Sequence, residues 1–223
     1  GRPGDKYGRR HMLKVTAFLF LISAIGTGLA VNVTMFILFR IIGGLAIGSA
    51  SVLSPMYISE VAPPAYRGRF TILFQLSLVV GILAAFATDL ALINTGENNW
   101  RWMFMSEGIP AMAFFVLLFF VGRSPRWLVK KGLINEAREV IAQTNNNGNN
   151  QQLLEDIRRS IDNEVVDHIK YLFKKPFLRL VIIGLLIGMF NQFTGIAIVM
   201  IYSSDIFRAA GFETESAIFQ TVI

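Results

Sequence analysis

Residues 39–70 of the chain read FRIIGGLAIGSASVLSPMYISEVAPPAYRGRF, and this stretch decides the fold. The run from Ile41 to Ile58 contains no ionised group. At 1.5 Å per residue, about 18 helical residues cross most of the hydrocarbon core of a bilayer. Glu60, the proline pair at 63 and 64 and the arginines that follow mark the return to water. The stretch therefore predicts a helix that crosses a membrane and ends in a basic turn.

One face of this predicted helix carries small residues and a single charge. At helical spacing, the aligned positions are Arg40, Gly44, Gly48, Ser51 and Pro55. Small residues let membrane helices pack closely, whereas a guanidinium at this depth is unfavourable unless it faces protein or water. Two interpretations of Arg40 stay open. Its side chain reaches the outer interface, or it faces the interior of a helix bundle and pairs with a carboxylate on a segment beyond these residues.

The composition favours a membrane protein and excludes several classes. Of the 223 residues, 53% are hydrophobic and only 16% are charged, with a mean hydropathy of +0.52. There is no cysteine, and the two histidines match no metal-ligand spacing, so we expect no metal site and no cofactor. Hydrolytic, redox and phosphate-loop motifs are absent, which argues against an enzyme. The net charge of +6 resides in particular loops, which indicates membrane orientation and not nucleic-acid binding.

Long apolar blocks recur along the chain. They predict five crossings and the start of a sixth, at Met12–Val31, Phe36–Met56, Phe70–Ile93, Met103–Val121, Phe177–Tyr202 and from Ser216 onward. The fourth block should bend at Pro110. Because the last block is cut short and the first residues lie in a basic loop, we interpret the sequence as an excerpt of a longer protein. The predicted fold class is all-α, a polytopic membrane helix bundle with a cytoplasmic helical insertion.

The loops alternate in charge, and the alternation predicts orientation. Every second loop is basic, with a combined charge of +9 over residues 1–14, 57–69 and 122–179. The intervening loops have a combined charge of −2 over residues 32–35, 94–101 and 203–215. Lysine and arginine accumulate on the cytoplasmic side of membrane proteins. The basic loops should therefore be cytoplasmic.

The polar stretch from Arg123 to Lys175 is too long for a simple turn. Residues 135–143 can form one helix, residues 145–150 form a polar loop, and apolar residues then recur at helical spacing from Leu154 to Ile169. This pattern predicts amphipathic helices on the cytoplasmic underside, with a solvated linker as the alternative.

Three amides lie at membrane depth. Gln75 is in the third predicted crossing, and Asn191 and Gln192 are in the fifth, just before Gly195. Amides offer donors and acceptors without charge, which suits a polyhydroxylated ligand. A helix broken at Gly195 beside them would follow the pattern of transporter binding sites. The alternative is hydrogen bonding between helices. Asp89 and Glu107 lie near the outer ends of their crossings, where interfacial solvation explains them.

Taken together, several motifs resemble the sugar porter family of the major facilitator superfamily. They are residues 4–10 (GDKYGRR), 55–63 (PMYISEVAP), 67–69 (RGR), Gln75, 100–102 (WRW), 124–128 (SPRWL) and 191–196 (NQFTGI). Their order and spacing match the family over the whole chain, from the loop after the second crossing to the start of the eighth in a twelve-helix fold. The resemblance implies three parts. These are a piece of the N-terminal bundle at 1–121, an intracellular helical domain at 122–175 and the start of the C-terminal bundle at 176–223.

The resemblance also implies roles for individual residues. A cytoplasmic charge network that controls opening would comprise Asp5, Arg9, Arg10, Glu60, Arg67 and Arg126. Arg40 would serve proton coupling, and Gln75, Asn191 and Gln192 would bind substrate. The implied function is transport of a monosaccharide or related polyol through the lipid bilayer of a bacterial cell membrane by alternating access, coupled to protons. An uncoupled sugar facilitator or a transporter-like sugar sensor is the alternative.

The chain departs from the family pattern at several positions. Asn191, Ala197 and Ile201 stand where the family has glutamine, asparagine and tyrosine. Gly122-Arg123 replaces a Pro-Glu pair and reverses a charge in the implied cytoplasmic network.

Overall fold

A computed structural model describes residues 2–62, 66–144, 150–162, 177–195, 198–199 and 202–211. Within these ranges the chain forms eleven α-helices and no strand. They are α1 (Arg2–Tyr7), α2 (Arg9–Gly28), α3 (Val33–Val61), α4 (Arg67–Leu92), α5 (Asn99–Ser106), α6 (Gly108–Phe120), α7 (Pro125–Lys130), α8 (Ile134–Thr144), α9 (Asn150–Asp162), α10 (Phe177–Phe193) and α11 (Ser203–Ala209). Residues 1–159 and 160–223 form two compact units, described separately below.

Four segments are long and apolar enough to span a membrane, which confirms the first four predicted crossings. They are Arg9–Gly28, Val33–Val61, Arg67–Leu92 and Asn99–Phe120. The helices extend past the apolar blocks into the flanking charged residues, because backbone hydrogen bonding does not stop at the edge of the hydrocarbon core. The fourth crossing is divided into α5 and α6 at Glu107, three residues before Pro110, whose missing N–H interrupts the ladder there.

The ends of α3 follow from its sequence. At the start, Asn32 is extended and its side-chain oxygen accepts a hydrogen bond from the Met35 N–H at 2.8 Å. At the end, Ala62 leaves the helical region because it precedes Pro63, whose ring disfavours helical geometry in the residue before it. The helix therefore runs for 29 residues between two local stop signals.

Helix α2 lies at the centre of the first unit, where it contacts α1, α3, α5 and α6. The buried cluster joins Leu13 and Ala17 of α2, Leu53 and Tyr57 of α3, and Leu118 of α6. Close approach of α2 and α3 depends on glycine, since a Cβ on Gly26 would meet the Phe39 ring and a Cβ on Gly43 would meet the Ser23 hydroxyl. Ser23 also donates a hydrogen bond to the Phe39 carbonyl at 2.9 Å.

At Gly44 and Gly48, the predicted stripe of small residues lies beside the surface of α3 that packs against α2. Gly43 packs against α2, but a Cβ on Gly44 or Gly48 would meet no described atom within 4 Å. These two glycines line a groove with residues of α1 and α2 instead. Packing between α2 and α3 therefore uses the position next to the stripe.

Helix α4 is the most exposed crossing of the unit. It contacts α3 and α5, and none of its residues is buried. Gln75 is accordingly exposed in the described part of the chain.

The polar stretch begins with the two short helices α7 and α8, which pack against each other. Ser124 and Pro125 start α7, and Leu128, Val129, Ala137 and Ile141 are buried between the two helices. The predicted helix at 135–143 is confirmed as Ile134–Thr144. Helix α9 covers the first part of the second predicted helix, whereas residues 163–169 and most of the polar loop lie outside the described residues.

In the second unit, α10 ends at Phe193 and the helix is interrupted there, as the sequence predicts. Gly195 has a φ of 70°, a left-handed conformation that favours glycine. The Val199 N–H then bonds to the Gly195 carbonyl at 2.9 Å, so helical hydrogen bonding resumes after the break. The sixth predicted crossing lies outside the described residues.

Candidate functional site

A buried ion-paired cluster lies at one end of the first unit, and Arg9 is its centre. Arg9 is only 7% exposed. Its Nη2 lies 2.5 Å from Asp5 Oδ1, and its Nε lies 3.0 Å from Glu60 Oε1. The Nε contact lacks hydrogen-bond alignment, so it is an electrostatic pairing of two nearly buried side chains. The family resemblance implies one network for these three residues, and they meet here.

A glycine turn between α1 and α2 brings Asp5 to Arg9. Gly8 has a φ of 90°, and its N–H bonds to the Gly4 carbonyl at 3.0 Å. Arg9 Nη1 donates to the same carbonyl at 2.9 Å. A Cβ at position 8 would lie 3.2 Å from the Trp127 indole. Glycine therefore provides both the left-handed turn and the space that α7 occupies.

Glu60 connects three helices through one carboxylate. Its Oε1 pairs with Arg9 of α2, while its Oε2 accepts a 2.5 Å hydrogen bond from the Ser124 hydroxyl at the start of α7. Ser124 in turn accepts a hydrogen bond from the Trp127 N–H at 3.2 Å and so caps α7. Glu60 itself lies in the last turn of α3. Ser124 was not among the predicted site residues, although it lies in the SPRWL motif that supports the resemblance.

Arg10 binds the end of α6 and pairs with no described carboxylate. It donates from Nε to the Leu118 carbonyl at 3.0 Å and from Nη2 to the Phe119 carbonyl at 2.7 Å. The last carbonyls of a helix accept no hydrogen bond from within the helix, and an arginine side chain can donate hydrogen bonds to them. The ammonium of Lys14 lies 3.6 Å from the centre of the Phe119 ring. The N-terminal part of α2 thus holds the C-terminal part of α6.

The other predicted members of the network lie nearby. Arg67 donates to the Ala62 carbonyl at 3.3 Å, across the turn between α3 and α4. Arg126 lies on α7 and has an interaction partner of its own. Arg123, at the position of the reversed charge, pairs with Glu136 of α8 at 3.1 Å. Sequence reasoning missed Glu136 because nothing local marks a partner 13 positions along the chain.

A second ion pair lies between α3 and the α5–α6 junction. Arg40 Nη1 is 3.7 Å from Glu107 Oε1, and the side chains are 46% and 54% exposed. The Arg40 guanidinium also lies 5.1 Å from the Phe104 ring, within a group of edge-to-face rings that includes Phe36 and Trp100. Arg40 therefore has a carboxylate partner within the described residues. From the sequence, Arg40 either reaches the interface or pairs with a carboxylate beyond these residues, and neither interpretation includes Glu107. Interfacial solvation was a sufficient explanation of Glu107 by itself.

The predicted substrate-binding amides are divided between the two units. Gln75 belongs to the first unit, and Asn191 and Gln192 lie near the end of α10 in the second. The side chains of Asn191 and Gln192 are outside the described part of the structure. A joint substrate site therefore stays a prediction. Among the described residues, no group of three or more His, Asp or Glu side chains could hold a metal ion.

Comparison with known proteins gives one consistent result. The family model described as "Sugar (and other) transporter" matches residues 1–223. The arabinose-proton symporter of Bacillus subtilis is 38% identical over 229 residues, which cover 100% of this chain and 49% of that protein. The D-xylose-proton symporter of Escherichia coli K12 is 33% identical over 247 residues, with 100% of this chain and 50% of that protein covered. The chain spans about half the length of the curated relatives that it matches.

A solved structure matches the fold over the same extent. The xylose transporter XylE from E. coli, in a partially occluded inward-open conformation, has a TM-score of 0.86 and 30% sequence identity. The match covers 100% of this chain and 53% of that one.

Proposed function

Since the chain belongs to the sugar transporter family of multi-pass membrane proteins, we propose that the protein moves a monosaccharide or related polyol across the membrane by alternating access, coupled to protons. The observation that carries the proposal is the Arg40–Glu107 pair between two membrane-crossing segments. Ionisable residues within such segments are unfavourable unless paired, and they mark ion and substrate pathways. The names of the similar symporters, which specify arabinose and D-xylose with protons, support the same substrate class.

In this proposal, the cluster around Arg9 and Glu60 is the cytoplasmic gate. It joins the ends of α2, α3 and α7 through an ion pair and a short hydrogen bond. Such contacts have discrete made and broken states, whereas apolar packing at the same place would not release as a unit. Asp5, Arg10, Arg67 and Arg126 support the gate from the neighbouring turns. Opening to the cytoplasm would separate Glu60 from Arg9 or from Ser124.

Arg40 and Glu107 are the proposed proton-coupling pair. Proton binding to the Glu107 carboxylate would remove its charge and release the Arg40 guanidinium, which could then take another partner. A coupling step of this kind needs only two arrangements of one cation and one titratable acid.

The sugar would be held by amides near the middle of the membrane. Gln75, Asn191 and Gln192 replace the hydrogen bonds that sugar hydroxyls lose with water. The break in α10 after Phe193 frees backbone groups close to the amide pair, as in the discontinuous helices of transporters. The proposal assigns residues 1–121 to an N-terminal bundle and residues 176–223 to the start of a C-terminal bundle. Residues 122–175 would form a cytoplasmic helical domain.

The test is uptake of labelled arabinose and D-xylose into proteoliposomes or cells that contain the full-length protein. We expect accumulation against the sugar gradient when a proton gradient is imposed, and loss of accumulation with a protonophore. Accumulation that persists without a proton gradient would contradict coupling. Absence of uptake for every monosaccharide and polyol tested would contradict transport.

A facilitator or a transporter-like sensor is the second candidate. It is favoured by Ala197 and Ile201, which remove two polar side chains that the family pattern has beside the substrate amides. In the same experiment, a facilitator would equilibrate sugar without accumulating it. A sensor would bind sugar without moving it.

A further inference from the structure

A basic cavity opens at the same end of the first unit as the Arg9 cluster, on the side of α2 that faces α7. Its volume is about 350 Å³, within the range of small-molecule sites. Five basic side chains line it, namely Arg9, Arg10, His11, Lys14 and Arg123. The described lining residues include no carboxylate. We refer to this feature as the basic cavity.

The charges around the basic cavity are not balanced. Asp5 and Glu60 offset Arg9 from outside the lining, but Arg10 bonds to two backbone carbonyls and Lys14 lies over an aromatic ring. Neither of those contacts neutralises a positive charge. Arg123 pairs with Glu136, and both side chains are about half exposed, so that pair is screened by water. The cavity therefore holds a surplus of positive charge.

The wall formed by α7 supplies further polar character. The Trp127 indole lines the cavity, and its Nε1–H is buried without a hydrogen-bond partner among the described residues. A buried donor without a partner is unusual in a folded protein. A cation-rich cavity beside an unused N–H donor favours a ligand that is anionic and rich in acceptor oxygens.

We propose that the basic cavity binds a phosphate-bearing anion, either a soluble phosphate compound or the headgroup of an anionic phospholipid. Arginine guanidinium groups and lysine ammonium groups bind phosphate oxygens through charge-assisted hydrogen bonds. Arg10 and Lys14 are presented by α2, and Arg123 by the segment before α7. A bound phosphate would therefore connect α2 to the start of α7, next to the Glu60–Ser124 contact, and stabilise this arrangement of the two helices.

Arg123 offers the sharpest test because one variant removes its positive charge and another removes the carboxylate that pairs with it. In the purified full-length protein at constant ionic strength, titration with inorganic phosphate should raise Tm saturably. Arg123→Glu should raise the midpoint of that titration by roughly tenfold or more, since it removes one charge-assisted bond and adds a repelling carboxylate. Glu136→Gln should lower the midpoint, because it frees the Arg123 guanidinium for the anion. A purely structural Arg123–Glu136 pair would give two variants with lower Tm and unchanged midpoints.

Arg138→Glu is the matched control, because Arg138 is exposed on α8 and does not line the basic cavity. It makes the same change in net charge and should leave the midpoint within about twofold. Equal shifts in Arg123→Glu and Arg138→Glu would reduce the effect to general electrostatics and overturn the proposal.

Reconstitution distinguishes the two sources of phosphate. Nanodiscs of phosphatidylglycerol should stabilise the protein more than nanodiscs of phosphatidylcholine if a lipid headgroup is the ligand, and Arg123→Glu should remove that difference. If the ligand is soluble, inorganic phosphate should stabilise the protein in phosphatidylcholine and the lipid comparison should show no difference. No saturable response to phosphate and no lipid dependence would overturn the proposal. These readouts require no transport, so they are independent of uptake activity.

Discussion

Arg9 and Glu60 illustrate how much one buried pair can control. Both side chains are less than a tenth exposed, and each has a second partner, Asp5 for Arg9 and Ser124 for Glu60. A buried pair as a whole contributes little net stability, but removal of one member leaves an uncompensated charge. The individual residues therefore matter more for stability than the pair does.

Glu60→Ala should lower the free energy of unfolding by about 1–3 kcal/mol, because the buried Arg9 guanidinium keeps only Asp5 as a carboxylate partner and the Ser124 hydroxyl loses its acceptor. Asp5→Asn is the control, since Asp5 is 41% exposed and its loss should cost under about 1 kcal/mol. Thermal or denaturant unfolding of the purified protein measures both. Equal effects of the two variants would contradict the buried role of Glu60.

Arg40→Ala should abolish accumulation of sugar driven by a proton gradient, because Glu107 loses the cation beside it. Arg40→Lys should restore part of the activity, since lysine keeps the charge but not the planar geometry. Arg69→Ala, at the exposed start of α4, is the control and should accumulate sugar normally. Accumulation at the wild-type level in Arg40→Ala would favour the interpretation that Arg40 only reaches the interface.

At the scale of elements, turns decide how the helices meet. Gly8 forms the left-handed turn that joins α1 to α2 between Asp5 and Arg9, and it also leaves room for the Trp127 indole. Gly132, after α7, has a φ of 78° but no described atom within 4 Å of an added Cβ. Substitutions at the two glycines therefore distinguish the cost of backbone strain from the cost of a steric contact with Trp127.

Gly8→Ala should destabilise the protein by about 1 kcal/mol more than Gly132→Ala does. Both variants force alanine into a left-handed conformation, but only the first also pushes against the indole. Comparison of Tm for the two purified variants measures the difference. Identical shifts would mean that Trp127 adapts without loss of packing.

The elements also show where sequence reasoning succeeds. The crossings of α2, α3 and α4 and the break in α10 at Gly195 are predictable, because they depend on local apolar length and on the conformational freedom of glycine. The contact faces are harder. A stripe on α3 pointed to Gly44, whereas Gly43 meets α2, because a single helix does not reveal on which side its neighbour packs.

At the scale of the whole molecule, partners far apart in sequence define the candidate sites. Arg9 could be linked to Glu60 through family motifs, yet the pairing of Arg40 with Glu107 depends on the register between α3 and the α5–α6 junction. No local pattern encodes that register. The amides proposed to bind substrate belong to different units of the chain, so no local pattern groups them.

Gln192→Ala should weaken sugar binding by roughly tenfold without unfolding the protein, because one amide carries about 1–2 kcal/mol of hydrogen bonding to a neutral hydroxyl. Gln143→Ala, on the exposed surface of α8, is the control and should bind sugar normally. Isothermal titration with the transported sugar measures the affinities. An unchanged affinity in Gln192→Ala would remove this residue from the substrate site.

The two bonds from Arg10 to the end of α6 have a consequence for biogenesis. During synthesis on the ribosome, Arg10 is added 108 residues before Leu118 and 109 residues before Phe119, whose carbonyls it binds. The donor is therefore made before either of its acceptors. In a circular permutant in which α6 is synthesised before α2, the Leu118 and Phe119 carbonyls would lack this donor until α2 was made.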